Sequence, residues 1–516
     1  MARIVFATFH NEFCIGVSYL KATLQDAGHR CRFVNLKVYS KDPVGAVPEL
    51  PRYTEVHEVL EPTGWHYFSY PWQPTEKEWD LWLNLVLEED PQLVGMSIAA
   101  SHMRTAREAI RRLRAAGLDV PIIWGGPQAT VDPESCLRVE GVDFVCIGEA
   151  ELVITAIADA VDRNRPLKDL PNLAYYREDG ALVKNPPAGT LKDLDQLPFP
   201  DFDEETRFFV ESNRSYQGYL PPESTFNNSY MLFTARGCPY KCTFCINAVL
   251  HDIDPDGANL RRRTVPNVIA ELKEVRRRFG DVYIHIEDEI FTLSKQWVRD
   301  FSQAFHDEIR LPFWCYTHPN CCPEEMILDL KYAGIRYIVM GLQSGSERLN
   351  REVYRRHTPI PRILDALRML DRQEVVTYCD VLTNNPVETE ADRRATAELL
   401  WEIPERANLG LGKVIVYPSS PLFEHVKDMP FPPPVDEALY EYWNPAYILA
   451  MYGGLSKSEF DALLIDGSLR RDPQTLWDQA YDVFKSAAKK NDQRLLEQET
   501  WFSSARPETL HVPAMV

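Results

Sequence analysis

Short runs of consecutive apolar residues alternate along this chain with stretches whose apolar positions recur every three or four residues. Ile4–Thr8 is a run of the buried-strand type, and the helical stretch Val17–Ala27 after it is closed by Gly28. Further strands are predicted at Cys31–Leu36, Val94–Ile98, Pro121–Trp124 and Val142–Ile147, with helices over Arg104–Ala116 and from Glu151 to about Asp162. Buried strands alternating with amphipathic helices predict a doubly wound, Rossmann-like parallel sheet over residues 1–163. Ligands of such sheets bind at the carboxyl ends of the strands, so the loops Phe9–Gly16, Ala99–Met103 and Gly125–Thr130 are expected to surround one.

Two stretches interrupt the alternation. Residues 37–90 are rich in proline and aromatics, including Trp65, Trp72, Trp79 and Trp82. They are expected to form an insertion with its own small core, or a flap over a flat ligand. Residues 164–227, with prolines at 166, 171, 186, 187, 198, 200, 221 and 222, are expected to be a connector wrapped over the surface.

A second alternation fills residues 228–420. Strands are predicted at Met231–Thr234, Val282–Ile286, Phe313–Tyr316, Tyr337–Met340, Val375–Val381 and Lys413–Tyr417. Helices are predicted over Asn267–Phe279, Glu324–Ala333, Ile363–Asp371 and Ala391–Glu402. Six strand–helix units in about 190 residues are too few for a closed eight-fold barrel, so a partial, TIM-like (β/α)6 barrel is expected. Residues 421–516 read as a helical C-terminal domain, in which Tyr440, Tyr442, Trp443, Tyr447 and Tyr452 are expected mainly to pack.

Composition narrows the function classes. A formal charge of −20 argues against broad nucleic-acid binding, which needs clustered Lys and Arg. MARIVFATFH enters a strand without the features of a secretory leader, and no segment has the roughly 18 uninterrupted apolar residues of a membrane span. A cytoplasmic protein without a membrane partner is expected. Most of the eleven cysteines, such as Cys146 and Cys379, sit singly in apolar strands as small buried hydrophobes do.

Three cysteines break that pattern. Arg236-Gly-Cys-Pro-Tyr-Lys-Cys-Thr-Phe-Cys245 follows the first strand of the second alternation and spaces Cys238, Cys242 and Cys245 as C-x3-C-x2-C. Three thiolates in one loop suit an iron–sulfur cube and leave its fourth iron open. Structural zinc wants a fourth ligand, commonly from a second C-x2-C pair, and no such pair lies at a suitable distance.

The C-x3-C-x-aromatic-C pattern, with Phe244 before its last cysteine, resembles the signature of the radical S-adenosylmethionine (SAM) superfamily. The resemblance covers about residues 228–420. It implies a [4Fe–4S] cluster on Cys238, Cys242 and Cys245, with SAM chelating the open iron and yielding a 5′-deoxyadenosyl radical on reduction. It also implies an electron donor such as flavodoxin or ferredoxin. Glu287-Asp288-Glu289 stands where relatives place an acidic pair, so Asp288 or Glu289 is expected to accept from the SAM ammonium. Gly341-Leu-Gln343-Ser344-Gly-Ser is similar to the family's G-I-E-S-G-S stretch, which implies Gln343 and Ser344 as SAM contacts, Gln343 standing in place of the usual Glu and able to bond a ribose hydroxyl. Asn384-Asn-Pro386 and Tyr417-Pro-Ser-Ser-Pro421 match family turns more loosely.

The first domain resembles the cobalamin-binding domain of the B12-dependent branch at Leu93–Ser97, Gly125–Thr130 and Val142–Glu149. Phe13, Gly16, Ser97, Gly125 and Gly126 are the implied cobalamin contacts, Gly126 allowing backbone to approach the nucleotide tail. The D-x-H-x-x-G motif aligns with Asn11-Glu-Phe13-Cys-Ile-Gly16, which lacks both its Asp and its His. Either cobalamin binds without a protein imidazole or the fold is vestigial; His10 and His102 are not taken as ligands. The resemblance implies a biosynthetic methyltransferase acting on an unactivated carbon of a small molecule. A cyclisation, rearrangement or oxidation with the same cofactors is the alternative, and an iron–sulfur or cobalamin sensor a more distant one.

Overall fold

The computed structural model describes residues 1–38, 73–222, 224, 228–430, 433, 442–465 and 473–498. It divides into two compact units, one built on the strands up to residue 217 and one on the strands from residue 229 onward, with residues 249–261 counted in the first.

The first unit runs β1 (Arg3–Phe9), α1 (Ile15–Asp26), β2 (Arg30–Leu36), α2 (Glu76–Leu87), β3 (Leu93–Ser97), α3 (Met103–Ala115), β4 (Ile122–Gly125), β5 (Phe144–Cys146) and α4 (Ile154–Asp162). Strands β6 (Leu173–Tyr176), β7 (Leu182–Lys184), β8 (Arg207–Glu211) and β9 (Arg214–Gln217) follow. The sheet order is β7-β6-β5-β4-β3-β1-β2-β8-β9. Its centre, β5-β4-β3-β1-β2, is wholly parallel and doubly wound. Both faces of β1 are covered, which is why Ile4, Val5, Phe6 and Ala7 form an unbroken apolar run.

Two expectations need correction here. The stretch 164–227 is not merely a connector: β8 joins β2 in parallel, while β6, β7 and β9 add antiparallel strands at the two edges. Strands of three to five residues between prolines carry too few periods to stand out in the sequence. Within 37–90, Trp79 and Trp82 do not form a separate core. They lie on α2, which connects β2 to β3 and buries them in the core shared by β1, β3 and β4. Thr75 and Glu78 start that helix with a reciprocal capping box. Trp65 and Trp72, and the flap reading with them, lie outside the described residues.

The second unit is a six-stranded sheet: β10 (Ser229–Leu232), β11 (Tyr283–Ile286), β12 (Phe313–Thr317), β13 (Ile335–Gln343), β14 (Val376–Thr383) and β15 (Ala407–Lys413). Every neighbouring pair is parallel and the spatial order is the chain order, as an open barrel requires. The helices α5 (Val265–Phe279), α6 (Lys295–Glu308), α7 (Glu324–Ala333), α8 (Ile360–Arg372) and α9 (Glu390–Trp401) separate the strands. Helix α6, started by the Ser294 side chain, was not among the expected helices.

The last strand was expected at Lys413–Tyr417 and ends instead at Lys413. Its Asn-Leu-Gly-Leu-Gly sequence has low strand propensity, so the apolar run after it dominates the pattern. Gly410 has a packing reason: a Cβ there would meet Asp380 Oδ1 at 2.5 Å.

Three C-terminal helices, α10 (Asn444–Tyr452), α11 (Lys457–Ile465) and α12 (Pro473–Gln498), complete this unit. They engage the edge strand β15: Leu409 N donates to Tyr452 Oη at 2.6 Å, and Asn491 Nδ2 to Asn408 Oδ1 at 2.8 Å. Tyr442, Trp443 and Tyr447 are buried, which gives them the packing role expected. Tyr440 lies outside the described residues. No helix among the described residues is long and apolar enough to cross a membrane.

Because Trp82 is fully buried in the main core, Trp82→Ala is expected to cost the first unit about 3–5 kcal/mol. An unchanged denaturant midpoint in the fluorescence transition would contradict that placement.

Candidate cofactor site at the barrel mouth

In a parallel barrel all carboxyl ends of the strands open on one side, and the unit's chemistry-bearing loops lie there. The cysteine loop follows β10, the acidic stretch 287–289 follows β11, and Gln343 closes β13.

The cysteine loop is fastened from both sides. Thr243 N donates to Tyr354 O at 3.1 Å, its hydroxyl donates to Val353 O at 2.6 Å, and its carbonyl accepts from Leu422 N at 3.2 Å. Phe244 packs edge-on against Tyr354 at 5.0 Å, and Tyr240 stacks on His318 at 4.3 Å. The aromatic residue of the motif is thus an anchor for the loop.

Cys238 and Cys242 are buried, Cys245 is half-buried, and none forms a disulfide. Burial pushes the Cys238 thiol up to about 12 and that of Cys245 up to about 11; Glu289 raises both, and neighbouring thiols in the loop add to each. Burial also raises Cys242, against the opposing pull of Arg356. Thiols gathered this way stay protonated until a metal takes the proton's place. Among the described residues no three His, Cys, Asp or Glu side chains form a group that would hold a metal ion as they stand. A cube differs from a single ion in spreading its thiolates over separate corners, so the three need not converge on one point.

Arg356 and Asn247 are parts of this site that the sequence did not reveal. The Arg356 guanidinium is buried, bonds Gly341 O at 2.6 Å and faces Cys242. Asn247 Nδ2 lies 3.6 Å from Cys245 Sγ, and its side chain also bonds Glu289. Arg355-Arg356 looks like any surface pair in the sequence, and nothing local marks the second as buried.

The four expected SAM residues divide into two kinds. Asp288 is 1% exposed and fully engaged. Its Oδ1 accepts from Thr234 N at 2.6 Å and Ala235 N at 2.9 Å, while its Oδ2 takes the Thr234 hydroxyl and faces Arg262 at 3.8 Å. It clamps the entry to the cysteine loop and has no oxygen to spare for a SAM ammonium. Ser344 is likewise buried, bonded to Thr396 Oγ1 and Ser346 N, each at 3.0 Å. Glu289 is open to solvent yet ringed by protein atoms, as a carboxylate lining a recess is. Gln343 has a left-handed φ of 69° and a buried side-chain oxygen with no partner. Glu289 and Gln343 thus keep polar atoms open, whereas Asp288 and Ser344 spend theirs on the loops.

The expected cobalamin contacts divide similarly. Gly16 opens α1 with nothing within 4 Å of where a Cβ would stand, and Ser97 and Gly125 end adjacent parallel strands, half-buried. Phe13, by contrast, is 2% exposed and packs edge-on against Tyr219. Gly126 has φ 90°, and a Cβ there would stand 2.9 Å from both Ile98 N and Ser97 Oγ. Its glycine is required by close approach to its own chain. His10 and His102 are buried with ring centroids 5.9 Å apart, and burial holds both below the usual imidazole range.

Family models match both halves: the B12 binding domain over residues 57–158 and the radical SAM superfamily over residues 232–400. The chain is a radical SAM protein with a B12-binding domain. It is 26% identical over 318 residues to an uncharacterised methyltransferase of Pyrococcus horikoshii, covering 60% of this chain and 64% of that one. It is 21% identical over 350 residues to the anaerobic magnesium-protoporphyrin IX monomethyl ester cyclase of Rubrivivax gelatinosus, covering 66% and 59%. The chain thus spans less than two thirds of the length of these curated relatives. The radical SAM methyltransferase TsrM of Kitasatospora setae, solved with cobalamin and a [4Fe–4S] cluster, superimposes with a TM-score of 0.60 at 18% identity, over 83% of this chain and 75% of that one. This likeness is one of fold.

Removing the Asp288 clamp leaves two backbone N–H groups and Arg262 unanswered. Asp288→Ala is expected to cost about 3–5 kcal/mol in thermal or denaturant unfolding of the barrel. A loss below about 1 kcal/mol would contradict the clamp.

Proposed function

We propose that this chain is a cobalamin-dependent radical SAM methyltransferase that modifies an unactivated carbon of a small molecule. One observation carries the reading: three unbridged cysteines lie in an anchored loop at the barrel mouth, where the neighbouring strand ends offer the open carboxylate of Glu289 and the partnerless oxygen of Gln343.

The residues present fit the groups the domains imply. Cys238, Cys242 and Cys245 would ligate three irons of a [4Fe–4S] cluster and leave the fourth for the amino and carboxylate groups of SAM. Glu289 would accept from the SAM ammonium and Gln343 would bond a ribose hydroxyl. Gly16, Ser97 and Gly125 would line the cobalamin face of the first domain. When bound, the reduced cluster with SAM supplies hydrogen abstraction from carbon, and cobalamin supplies a methyl group for transfer. The chain's own work is positional. Asp288 and Thr243 fix the cysteine loop, and Arg356 sets a positive charge beside Cys242 that favours its thiolate.

A cluster of this kind needs reducing conditions and an electron donor, which supports reading the protein as cytoplasmic with a flavodoxin or ferredoxin as partner. The −20 charge favours a small-molecule substrate over nucleic acid. The likeness to the magnesium-protoporphyrin cyclase supports a second reading, in which the same cofactors serve ring closure without methyl transfer.

The test is anaerobic SAM cleavage by the reduced protein. Cys238→Ala, Cys242→Ala and Cys245→Ala are each expected to lower 5′-deoxyadenosine formation by more than about 100-fold and to lose the cluster iron. Cys379→Ala, on the barrel strand β14, keeps both. Retention of iron and cleavage in any of the first three contradicts the reading. Isotopically labelled methyl from SAM appearing in product separates methyl transfer from ring closure.

A further inference from the structure

The inner face of the barrel holds two carboxyl groups that the cysteine loop does not use. Parallel register sets its rows. His285, Trp314, Tyr337 and Val376 are neighbours across β11 to β14. Tyr316, Val339, Tyr378 and Asn408 form the next row toward the mouth. Glu287, two residues beyond His285, shares that face. One step higher stands Asp380, between Gly341 and Gly410.

The lower rows form an aromatic floor. Trp314 stacks on Tyr337 at 5.4 Å, and Tyr337 on Tyr283 at 6.3 Å. Above the floor, the side chains of Glu287 and Asp380 accept no hydrogen bond and meet no cation among the described residues. Burial pushes Asp380 up to about 7; burial, then Asp288 and Glu289, push Glu287 up to about 8. Tyr316, on the same face, lies within electrostatic reach of both carboxyls. Both residues retain partial exposure, so they line accessible space.

Two further groups point to a ligand. The Tyr337 hydroxyl is buried without a partner and feels Tyr316 and Glu287, and the Trp314 indole N–H is buried without a partner as well. Carboxyls so largely enclosed and left unpaired cost stability. Gly410 shows that the fold makes room for one of them, since a Cβ there would strike Asp380.

We propose that this inner face binds a protonated amine of the substrate, with the ammonium between Glu287 and Asp380 and a planar skeleton over Trp314 and Tyr337. A cation is the partner that lets both carboxyls ionise, and the aromatic floor attracts it further. An anionic substrate is rejected by the same pair. The assignment rests on the barrel being the substrate chamber of the proposed enzyme.

The probe is benzylammonium, compared with its neutral counterpart benzyl alcohol, by calorimetric titration of the full-length, anaerobically reconstituted protein. Wild type is expected to bind benzylammonium at least tenfold more tightly. Glu287→Gln combined with Asp380→Asn is expected to weaken benzylammonium at least tenfold and to change benzyl alcohol less than twofold. A wild type that binds both probes alike, or neither, overturns the proposal without reference to any variant; so does a preference that survives the double substitution. Iron measured in the same wild-type preparation separates the two readings. Iron without amine preference removes only the amine site, and amine preference without iron removes only the cluster.

Discussion

One buried carboxylate governs the geometry of the barrel mouth. Asp288 reaches from the end of β11 to the first residues of the cysteine loop and binds two successive backbone N–H groups and a hydroxyl there. Burying a charge so completely is costly; those donors and Arg262 offset part of the cost, and burial still holds the carboxyl above its ordinary range. Arg262 is held in turn by the carbonyl of Phe291 at 3.0 Å and by the Trp297 ring at 4.5 Å. The loop carrying Cys238, Cys242 and Cys245 therefore starts from a fixed point. Thr243 and Phe244 fix it again halfway along.

Against that satisfied clamp, the unsatisfied groups acquire meaning. Asp288 and Ser344 have their bonding capacity filled, whereas Glu287, Gln343 and Asp380 have theirs open. Neighbouring positions on the same strand ends thus differ in whether their polar atoms are spent on holding loops or left open. Chemical type alone does not separate them, because Asp288 and Glu289 are adjacent carboxylates, one buried among donors and the other open to solvent. What separates them is the direction in which the chain turns after β11.

This division also explains how far the sequence could be read. The alternation of apolar runs and amphipathic helices revealed both sheets, because strands buried on both faces write long apolar words such as Ile-Val-Phe-Ala. The cysteine spacing was legible because ligands held in one loop are close in sequence. The edge strands around residues 173–217 and the glycine-bearing β15 were not legible. Their pairing is decided by neighbours far along the chain; the former are only three to five residues long, and the glycines of the latter lower its strand preference. Arg356 was hidden for the same reason: its burial beside Cys242 comes from tertiary packing. Asp380 left a faint trace, a lone acid inside the apolar strand Val376–Thr383, that only the parallel register converts into a position facing the chamber.

The central claim is that one chain holds both an iron–sulfur cluster and a cobalamin. Anaerobic purification with added cobalamin, followed by iron, sulfide and cobalamin quantification on the same sample, tests it most directly. The account predicts about four irons with matching sulfide, and one cobalamin per chain. Iron at that level without cobalamin would reduce the first domain to a scaffold and contradict the two-cofactor account, and the absence of iron would contradict it at its root.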